Sequence, residues 1–414
     1  MSLFSKRTKP KEVFTPRAST VNDQMYVDRT ELERVLKKHC QGSKHIIIHG
    51  ESGNGKTWLY KKVFGDLYLP YLTINLANAS RFGSFQNLLK EKLKSDGPDR
   101  ELSQIVIQKQ GGMNAAVLSA NYTDERIYSM VERDPLLALM ILLNRQAAKK
   151  QSLIVLENFE QILDQASIVK EISDTLILLD DDDYAKYNVR FCIVGVPSEI
   201  REYLGKQAAI ETISNRVVEV PEVARLAQSE AEALLRKGFK IINLECSEEI
   251  IKEIVWKTDR IAQHLHELGL EVSELAIENS EVIDASILKN AISSWISNSF
   301  SAIGEVVDSH LNSRATKAGR KNQVIYCLGT LTIEDFKYSD VEERVREVFP
   351  DSTKGITLNI SQILSKLSDG NSPLIKRVPK GDAYRFVNPK VKIEIRVQLH
   401  LTEVGKVVRK PRTT

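Results

Sequence analysis

The octapeptide GESGNGKT, residues 50–57, constrains the fold of this 414-residue chain more than any other stretch. It fits the pattern G-x-x-x-x-G-K-[ST], whose glycines let the backbone curl so that its N–H groups surround a phosphate. The β-branched run HIIIH (45–49) comes directly before it, and the helix-forming WLYKKVF follows it. A buried strand, a glycine-rich turn and a helix in this order predict a phosphate site at the positive end of the helix.

The residues of this turn and the first residue of its helix are the candidate nucleotide contacts. They are Gly50, Glu51, Ser52, Gly53, Asn54, Gly55, Lys56, Thr57 and Trp58. Lys56 is expected to reach the β and γ phosphates, and the Thr57 hydroxyl is expected to coordinate magnesium. The pattern therefore predicts ATP and Mg²⁺ as ligands.

A second acidic group is expected on a neighbouring strand, and LIVLENFE (153–160) supplies it. Four apolar residues run to Glu157, which we expect to reach the metal through a water molecule. Asn158 can orient a water but cannot take its proton. Glu160 either acts as the missing base, if the loop bends back, or is only an exposed or capping residue. The segment predicts ATP binding with slow hydrolysis.

The chain alternates strands and helices up to about residue 220. Strands are expected at 45–49, 71–77, 152–157, 189–196 and 216–220. This alternation predicts an α/β fold with a five-stranded parallel sheet. An insertion at 95–150 is expected to hold a hairpin around Gly111–Gly112 and a helix from residue 134. The acidic run 179–187 is expected to be a solvated loop.

The remaining segments complete the predicted domain organisation. A basic tail covers residues 1–20 and is expected to be extended or mobile. The nucleotide-binding core covers 21–220, and a helical lid covers 221–311. Residues 312–414 are expected to form three helices and a β-hairpin that turns at PKGD (379–382), with AYRFVNPKVKIEIRVQLHL (383–401) as its second strand. This is the order of a winged-helix domain.

Composition narrows the class of protein. Residues 311–414 carry 20 Lys and Arg against 11 Asp and Glu, which favours contact with a polyanion. No apolar run approaches the roughly 18 residues that span a bilayer, and the four cysteines form no CxxC pair. We therefore expect a cytoplasmic protein without a membrane partner.

Three further segments resemble AAA+ P-loop ATPases related to origin-recognition proteins, an arrangement shared by STAND signalling ATPases and TniB/TnsC-type transposition ATPases. They are MYVDR (25–29), RFCIVGVPSEI (190–200) and ISNRVVEVPEV (213–223). The resemblance implies that Tyr26, Val27 and Arg29 lie on the adenine side of the site. It also implies a homo-oligomer.

The same resemblance implies roles for three residues outside the phosphate loop. Arg216 occupies the position of an arginine finger that acts on a neighbouring subunit's ATP, and a surface ion pair with an acidic neighbour is the alternative. Arg260 stands where a lid helix offers a sensor arginine, but it follows Asp259 where the family usually has a small residue. Ser198 is the nearest polar candidate for the sensor on the strand 189–196.

The winged-helix order predicts a DNA-binding surface. The third helix, TLNISQILSKL (357–367), offers Asn359, Gln362 and Lys366, and the wing offers Lys376, Arg377 and Lys380. Winged helices also dock proteins, so an effector protein is the alternative partner. Three functions stay open: an ATP-dependent switch that binds duplex DNA, a STAND-like signalling subunit, for instance in antiviral defence, and a structural ATP binder that does not hydrolyse.

Overall fold

The fold is described from a computed structural model, which defines residues 8–93, 101–107, 116–121, 133–196, 210–279, 282–312, 319–378 and 381–409. The chain divides into a sheet unit, residues 18–224, and a helical unit that joins residues up to 17 with residues from 225 onwards. The predicted lid and the predicted C-terminal domain both belong to the helical unit.

A seven-stranded sheet forms the centre of the sheet unit. Its strands are β1 (His45–His49), β2 (Tyr71–Asn75), β3 (Glu101–Ile107), β4 (Ala116–Asn121), β5 (Ser152–Glu157), β6 (Val189–Val196) and β7 (Val217–Glu219). Their spatial order is β4-β3-β2-β5-β6-β1-β7. Neighbours among β2, β5, β6, β1 and β7 are parallel, which confirms the predicted five-stranded core. The expected hairpin, β3 and β4, extends the sheet antiparallel to β2.

Both faces of β1 and β5 are buried, as their continuous apolar runs predict. In β1, Ile46 and Ile48 pack into one hydrophobic cluster and Ile47 packs into another on the opposite face. Helices cover these clusters. They are α1 (Thr30–Cys40), α2 (Lys56–Asp66), α3 (Ala79–Phe82), α4 (Phe85–Leu93), α5 (Pro135–Gln146), α6 (Ala166–Leu178), α7 (Asp182–Ala185) and α8 (Ile210–Arg216).

The described part of the helical unit holds the helices predicted after residue 220 and further helices that were not predicted. They are α9 (Gln228–Ile241), α10 (Glu248–Lys257), α11 (Ala262–Asn279), α12 (Ala285–Ser299), α13 (Ser301–His310), α14 (Arg320–Thr330), α15 (Tyr338–Val348), α16 (Pro350–Thr353), α17 (Ile360–Ser368) and α18 (Pro389–Gln398). Its two-stranded sheets pair β8 (Glu245–Cys246) with β9 (Val282–Ile283), β10 (Ile375–Arg377) with β11 (Tyr384–Phe386), and β12 (Leu399–Leu401) with β13 (Val407–Arg409). Helices α14, α15 and α17 followed by the antiparallel β10–β11 hairpin have the expected order.

The prediction of an extended N-terminal tail is wrong for the residues after position 7. Pro10–Val13 forms one helical turn, and the side chains of Val13 and Phe14 are fully buried. The Phe14 ring lies against Gly269 of α11, where a Cβ would come within 2.6 Å of it. The backbone N–H of Thr15 donates to Nδ1 of His266 at 3.1 Å. These contacts anchor the segment in the helical unit.

The prediction that the wing's second strand continues through 383–401 is also wrong. The strand ends at Phe386, and α18 begins at Pro389 with the Asn388 side chain accepting from the Lys390 N–H. The period-two alternation of this segment is misleading because both sets of side chains are buried. Lys392 and Glu394 are 1% and 0% exposed, and their apolar neighbours are buried as well.

The acidic run also differs from the expected loop, because Asp181 caps the short helix α7 through the Asp183 N–H. Within the part of the chain that the structure describes, no helix is both long enough and apolar enough to cross a membrane.

Candidate functional site

The phosphate loop has the backbone that its glycines allow. Gly50, Gly53 and Gly55 have φ values of 140°, 85° and 92°, which side chains with a Cβ rarely adopt. Lys56 begins α2, and its Nζ donates to the carbonyl oxygens of Gly50 at 2.7 Å and Glu51 at 2.8 Å. Burial lowers the pKa of Lys56, and the nearby carboxylates of Glu160, Glu51 and Glu222 oppose that shift. The ammonium group therefore lies inside the loop.

The end of the sheet unit closes one side of this loop. A Cβ on Gly50 would lie 2.5 Å from the carbonyl oxygen of Val223, so the backbone approach itself requires glycine. Asn54 is 2% exposed, and its Nδ2 donates to the same Val223 oxygen at 3.0 Å. Arg29 donates to the carbonyl oxygens of Ala224 at 2.7 Å and Asn54 at 3.4 Å. These bonds hold the MYVDR segment beside the loop.

The other residues of the predicted adenine side lie on the same side of the sheet unit. The Tyr26 hydroxyl donates to Oε1 of Glu33 at 3.0 Å, and the Arg29 N–H donates to the same oxygen at 2.9 Å. Val27, which follows Tyr26 in the sequence, is partly buried. Trp58 Nε1 donates to the Ala18 carbonyl at 3.2 Å, which fixes the first turn of α2. Their contacts with adenine stay a prediction.

The structure brings the two predicted metal-binding side chains together. Glu157 ends β5, and its Oε1 accepts a hydrogen bond from the Thr57 hydroxyl at 3.2 Å. The Tyr60 hydroxyl, one turn further along α2, donates to the same oxygen at 2.9 Å. Hydroxyl and carboxylate oxygens are the hard ligands that Mg²⁺ prefers, so this pair fits a magnesium ion beside the phosphates.

Asn158 and Glu160 take different positions after β5. Asn158 has left-handed backbone angles, φ 59° and ψ 42°, and its Nδ2 donates to Oδ1 of Asn75 at the end of β2 at 2.7 Å. The 3₁₀ turn Phe159–Ile162 then bends the chain back. A Cβ on Gly195, which has φ 91°, would overlap Oε2 of Glu160. The carboxylate of Glu160 therefore lies against the end of β6 rather than pointing away from the sheet.

Glu160 has the electrostatics of a candidate base. Burial raises the pKa of its carboxyl group and the Glu157 charge adds to the shift, while its own backbone N–H and the Lys56 ammonium oppose it. A carboxylate whose pKa moves towards neutrality accepts a proton more readily at physiological pH.

Arg216 lies near the amino-terminal ends of β1 and β7, whereas the phosphate loop follows the carboxyl end of β1. It ends α8 directly before β7, and the next residue, Val217, is the register partner of His45 at the start of β1. At about 3.3 Å per residue, the length of β1 separates Arg216 from the loop by roughly 13–17 Å. Its Nε forms an ion pair with Asp180 at 2.6 Å. The surface ion pair considered above is therefore present, and Arg216 does not lie at its own chain's site.

Arg260 follows a buried carboxylate in the helical unit. Asp259 and Arg260 connect α10 to α11 with φ values of 52° and 60°. Asp259 is 3% exposed and pairs with Arg225, with Lys392 at 3.3 Å and with Arg396 at 2.7 Å. The departure from a small residue at position 259 thus has a structural reason. Ser198 lies outside the described residues.

Five of the six predicted DNA-binding residues fall within the described residues, and they lie on the surface of the helical unit. Asn359 precedes α17, and Gln362 and Lys366 lie on its exposed face. Lys376 and Arg377 of β10 are exposed, with the Arg377 guanidinium 5.8 Å from the centre of the Tyr384 ring. Lys380 lies outside the described residues.

A parallel sheet with a glycine-rich phosphate loop after β1 and a carboxylate after β5 defines a P-loop nucleotide-binding domain. Residues 38–204 match a protein family described as AAA domain. This match and the five-stranded parallel core bear out the predicted AAA+-type P-loop α/β fold.

The chain also matches solved structures at low sequence identity. The Walker-type ATPase PABY2304 of Pyrococcus abyssi has 16% identity and a TM-score of 0.55, with 93% of this chain and 99% of that chain covered. The ADP form of the Aeropyrum pernix ORC2 protein has 14% identity and a TM-score of 0.49, with 94% and 97% covered. Cdc6p from Pyrobaculum aerophilum has 13% identity and a TM-score of 0.43, with 94% and 97% covered. No curated protein matches the chain by sequence.

Two residues of the site were not predicted from the sequence. Tyr60 lies three residues after Thr57, and that helical spacing places both on one face of α2, so the signal was present. Gly195 had no such signal, because its importance depends on how closely Glu160 approaches β6.

Proposed function

We propose that this chain is an ATP-dependent switch that binds Mg²⁺–ATP in the sheet unit and hydrolyses it slowly. The observation that carries the proposal is the pairing of Thr57 with Glu157 beside a loop in which Lys56 already lies. The loop N–H groups and Lys56 bind the phosphates, and Thr57 and Glu157 hold the metal. Bound Mg²⁺ supplies positive charge to the β and γ phosphates.

Slow turnover follows from the residues after β5. The Asn158 side-chain amide donates one N–H to Asn75 and has no basic group, so Asn158 can orient a water but cannot deprotonate it. Glu160 accepts the proton of the water that attacks the γ-phosphorus, and the bond to the β-γ bridging oxygen breaks to release ADP and phosphate. Its position against Gly195 and the raised pKa of its carboxyl group support this role.

Hydrolysis is further proposed to depend on assembly, through Arg216 of one chain and the ATP of another. Its distance from its own phosphate loop supports an action in trans only. In the single chain Arg216 is paired with Asp180, so assembly must exchange that ion pair for a phosphate contact. The exchange makes occupancy of the interface a condition for turnover.

A comparison of Arg216→Ala with Asp180→Asn separates this role from a structural one. ATP hydrolysis per chain would be measured over a range of protein concentrations, with Lys56→Ala as the background. The proposal predicts a rate that rises with concentration, collapses in Arg216→Ala and rises at lower concentration in Asp180→Asn. Equal losses in both variants would mean that only the ion pair matters, and the finger role would be wrong.

We also propose that the helical unit binds duplex DNA through α17 and the β10–β11 hairpin. The exposed Gln362, Lys366, Lys376 and Arg377 support this, since lysine and arginine contacts to phosphate carry most nonspecific affinity. Removing Lys366, Lys376 and Arg377 together should lower the slope of log K against log salt by about 2–3. The matched control removes three exposed lysines elsewhere in the unit, Lys337, Lys354 and Lys406.

An equal change in the control would show that only net charge matters. If the wild type does not bind duplex DNA, the surface is left for a protein partner, and the DNA-binding role is wrong.

A further inference from the structure

The hydroxyl of Tyr60 belongs to the set of hydrogen bonds that fixes Glu157. The Tyr60 ring is fully buried in α2 and packs against the rings of Phe64, with centroids 5.2 Å apart, and Tyr71, at 5.9 Å. These contacts fix the position of the hydroxyl. It donates to Oε1 of Glu157 at 2.9 Å and is itself hydrogen-bonded by the side chain of Thr73 on β2.

Both hydrogen bonds go to the same oxygen of the Glu157 carboxylate. Both Tyr60 and Thr57 donate to Oε1 of Glu157, and neither donates to Oε2. Oε2 would then be the oxygen that contacts a metal-bound water.

The hydrogen bond from Tyr60 explains how position 157 can carry glutamate instead of the shorter aspartate. Glutamate has one more rotatable bond than aspartate, so its carboxylate has more conformations to lose when it binds a metal. A fixed donor on the neighbouring helix removes those conformations before the metal arrives, which is preorganisation.

We propose that Tyr60 is the positioning residue that holds Glu157 in its metal-binding orientation, so that Tyr60 sets the magnesium dependence of nucleotide binding. The proposal deepens the proposed function and rests on it, because it requires that the loop binds Mg²⁺–ATP. It concerns binding, so it can be tested without turnover.

The test is calorimetric titration of the full chain with ATP, once with Mg²⁺ and once with EDTA. Tyr60→Phe should weaken Mg²⁺–ATP binding by about fivefold to twentyfold, because it removes a hydrogen bond to a charged group. Affinity in EDTA should change by less than about twofold, since Tyr60 is not expected to contact the nucleotide. Tyr71→Phe is the matched control, because it removes a neighbouring buried hydroxyl that does not donate to Glu157.

A double-mutant cycle adds a result that a merely structural role would not give. In the Glu157→Gln background, Tyr60→Phe should have less than about a twofold effect on the magnesium enhancement, because the charge that Tyr60 orients is gone. An equal effect in both backgrounds, or the same loss in Tyr71→Phe, would overturn the proposal.

The outcomes also separate this inference from the proposed function. If wild type binds Mg²⁺–ATP more tightly than ATP in EDTA, and Tyr60→Phe shows a magnesium enhancement of the same size, only the role of Tyr60 is wrong. If wild type shows no magnesium enhancement, the proposed metal site is wrong and the inference falls with it. A fall in Tm alone, with the enhancement intact, would make Tyr60 a packing residue.

Discussion

Replacing Asp259 tests the most heavily buried ion-pair cluster of the helical unit. One carboxylate, 3% exposed, faces Arg225, Lys392 and Arg396, whose side chains are 4%, 1% and 2% exposed. In Asp259→Asn, Lys392 and Arg396 lose the charge of Asp259, and Arg225 retains its ion pair with Glu334 at 3.2 Å, while all three cations remain buried. Removing one partner of a buried ion pair costs about 3–5 kcal/mol, so we expect a loss of that size in the free energy of unfolding.

The assay is thermal and denaturant unfolding of the full chain, followed by circular dichroism. For a unit of roughly 200 residues, a loss of about 3–5 kcal/mol lowers Tm by roughly 6–20 °C. Asp335→Asn is the control, because that carboxylate is 39% exposed and pairs with Arg385 on the surface of the same unit. Its loss should cost about 0–1 kcal/mol.

A second substitution tests the reasoning itself. Burial lowers the pKa of Lys392 to about 8, although Asp259 opposes that shift. Lys392→Met in the Asp259→Asn background removes a cation that has lost its partner, so it should restore part of the stability. The account is refuted if Asp259→Asn costs no more than Asp335→Asn, or if Lys392→Met makes the variant less stable.

Three further predictions follow from single contacts. Phe14→Ala should lower the free energy of unfolding by about 3–5 kcal/mol, measured in urea, because it empties a fully buried site; no measurable change would mean that the segment is not anchored. Burial lowers the pKa of His266 from 6.5 to about 4, so the unfolded chain takes up a proton that the folded chain does not. Stability from this group is present above pH 6.5 and is lost as pH falls towards 4, and His266→Gln should flatten that loss. Gly195→Ala should slow ATP hydrolysis about tenfold or more with ATP affinity within about twofold, because the new Cβ displaces the Glu160 carboxylate; an unchanged rate would disconnect Glu160 from catalysis.

The sheet was predictable because its signals are local and agree with each other. HIIIH and SLIVLE are continuous apolar runs, and such runs are buried on both faces only in a covered parallel sheet. The phosphate loop was equally clear, since its glycines, lysine and threonine have fixed spacing. The pairing of Thr57 with Glu157 followed from the rule that carboxyl ends of parallel strands meet at one edge.

The helix α18 was missed because its alternation has two meanings. Val391, Ile393, Ile395 and Val397 alternate with polar residues, which is typical of a strand with one exposed face. Here the polar side chains are buried too. Lys392 forms an ion pair with Asp259, far earlier in the sequence, and Glu394 forms one with Arg409, which comes later. Only Asn388 and Pro389, a capping residue followed by proline, marked a helix start.

The roles of Asp259 and Phe14 depend on partners that no local pattern reveals. Phe14 packs against a glycine more than 250 positions further on. Asp259 forms ion pairs with Arg225, which precedes it in the chain, and with Arg396, which follows it. A basic N-terminus and a departure from a family pattern were visible in the sequence. Their structural reasons were not.

The measurement that tests the central claim most directly is single-turnover ATP hydrolysis by Glu160→Gln, together with its ATP affinity. Glu222→Gln is the matched control, because the Glu222 carboxylate also acts on the pKa of Lys56 but is not the proposed base. We expect Glu160→Gln to bind ATP within about threefold of wild type and to lose about 100-fold or more in rate, the usual contribution of a general base. Hydrolysis at the wild-type rate in Glu160→Gln, or an equal loss in Glu222→Gln, would contradict the account.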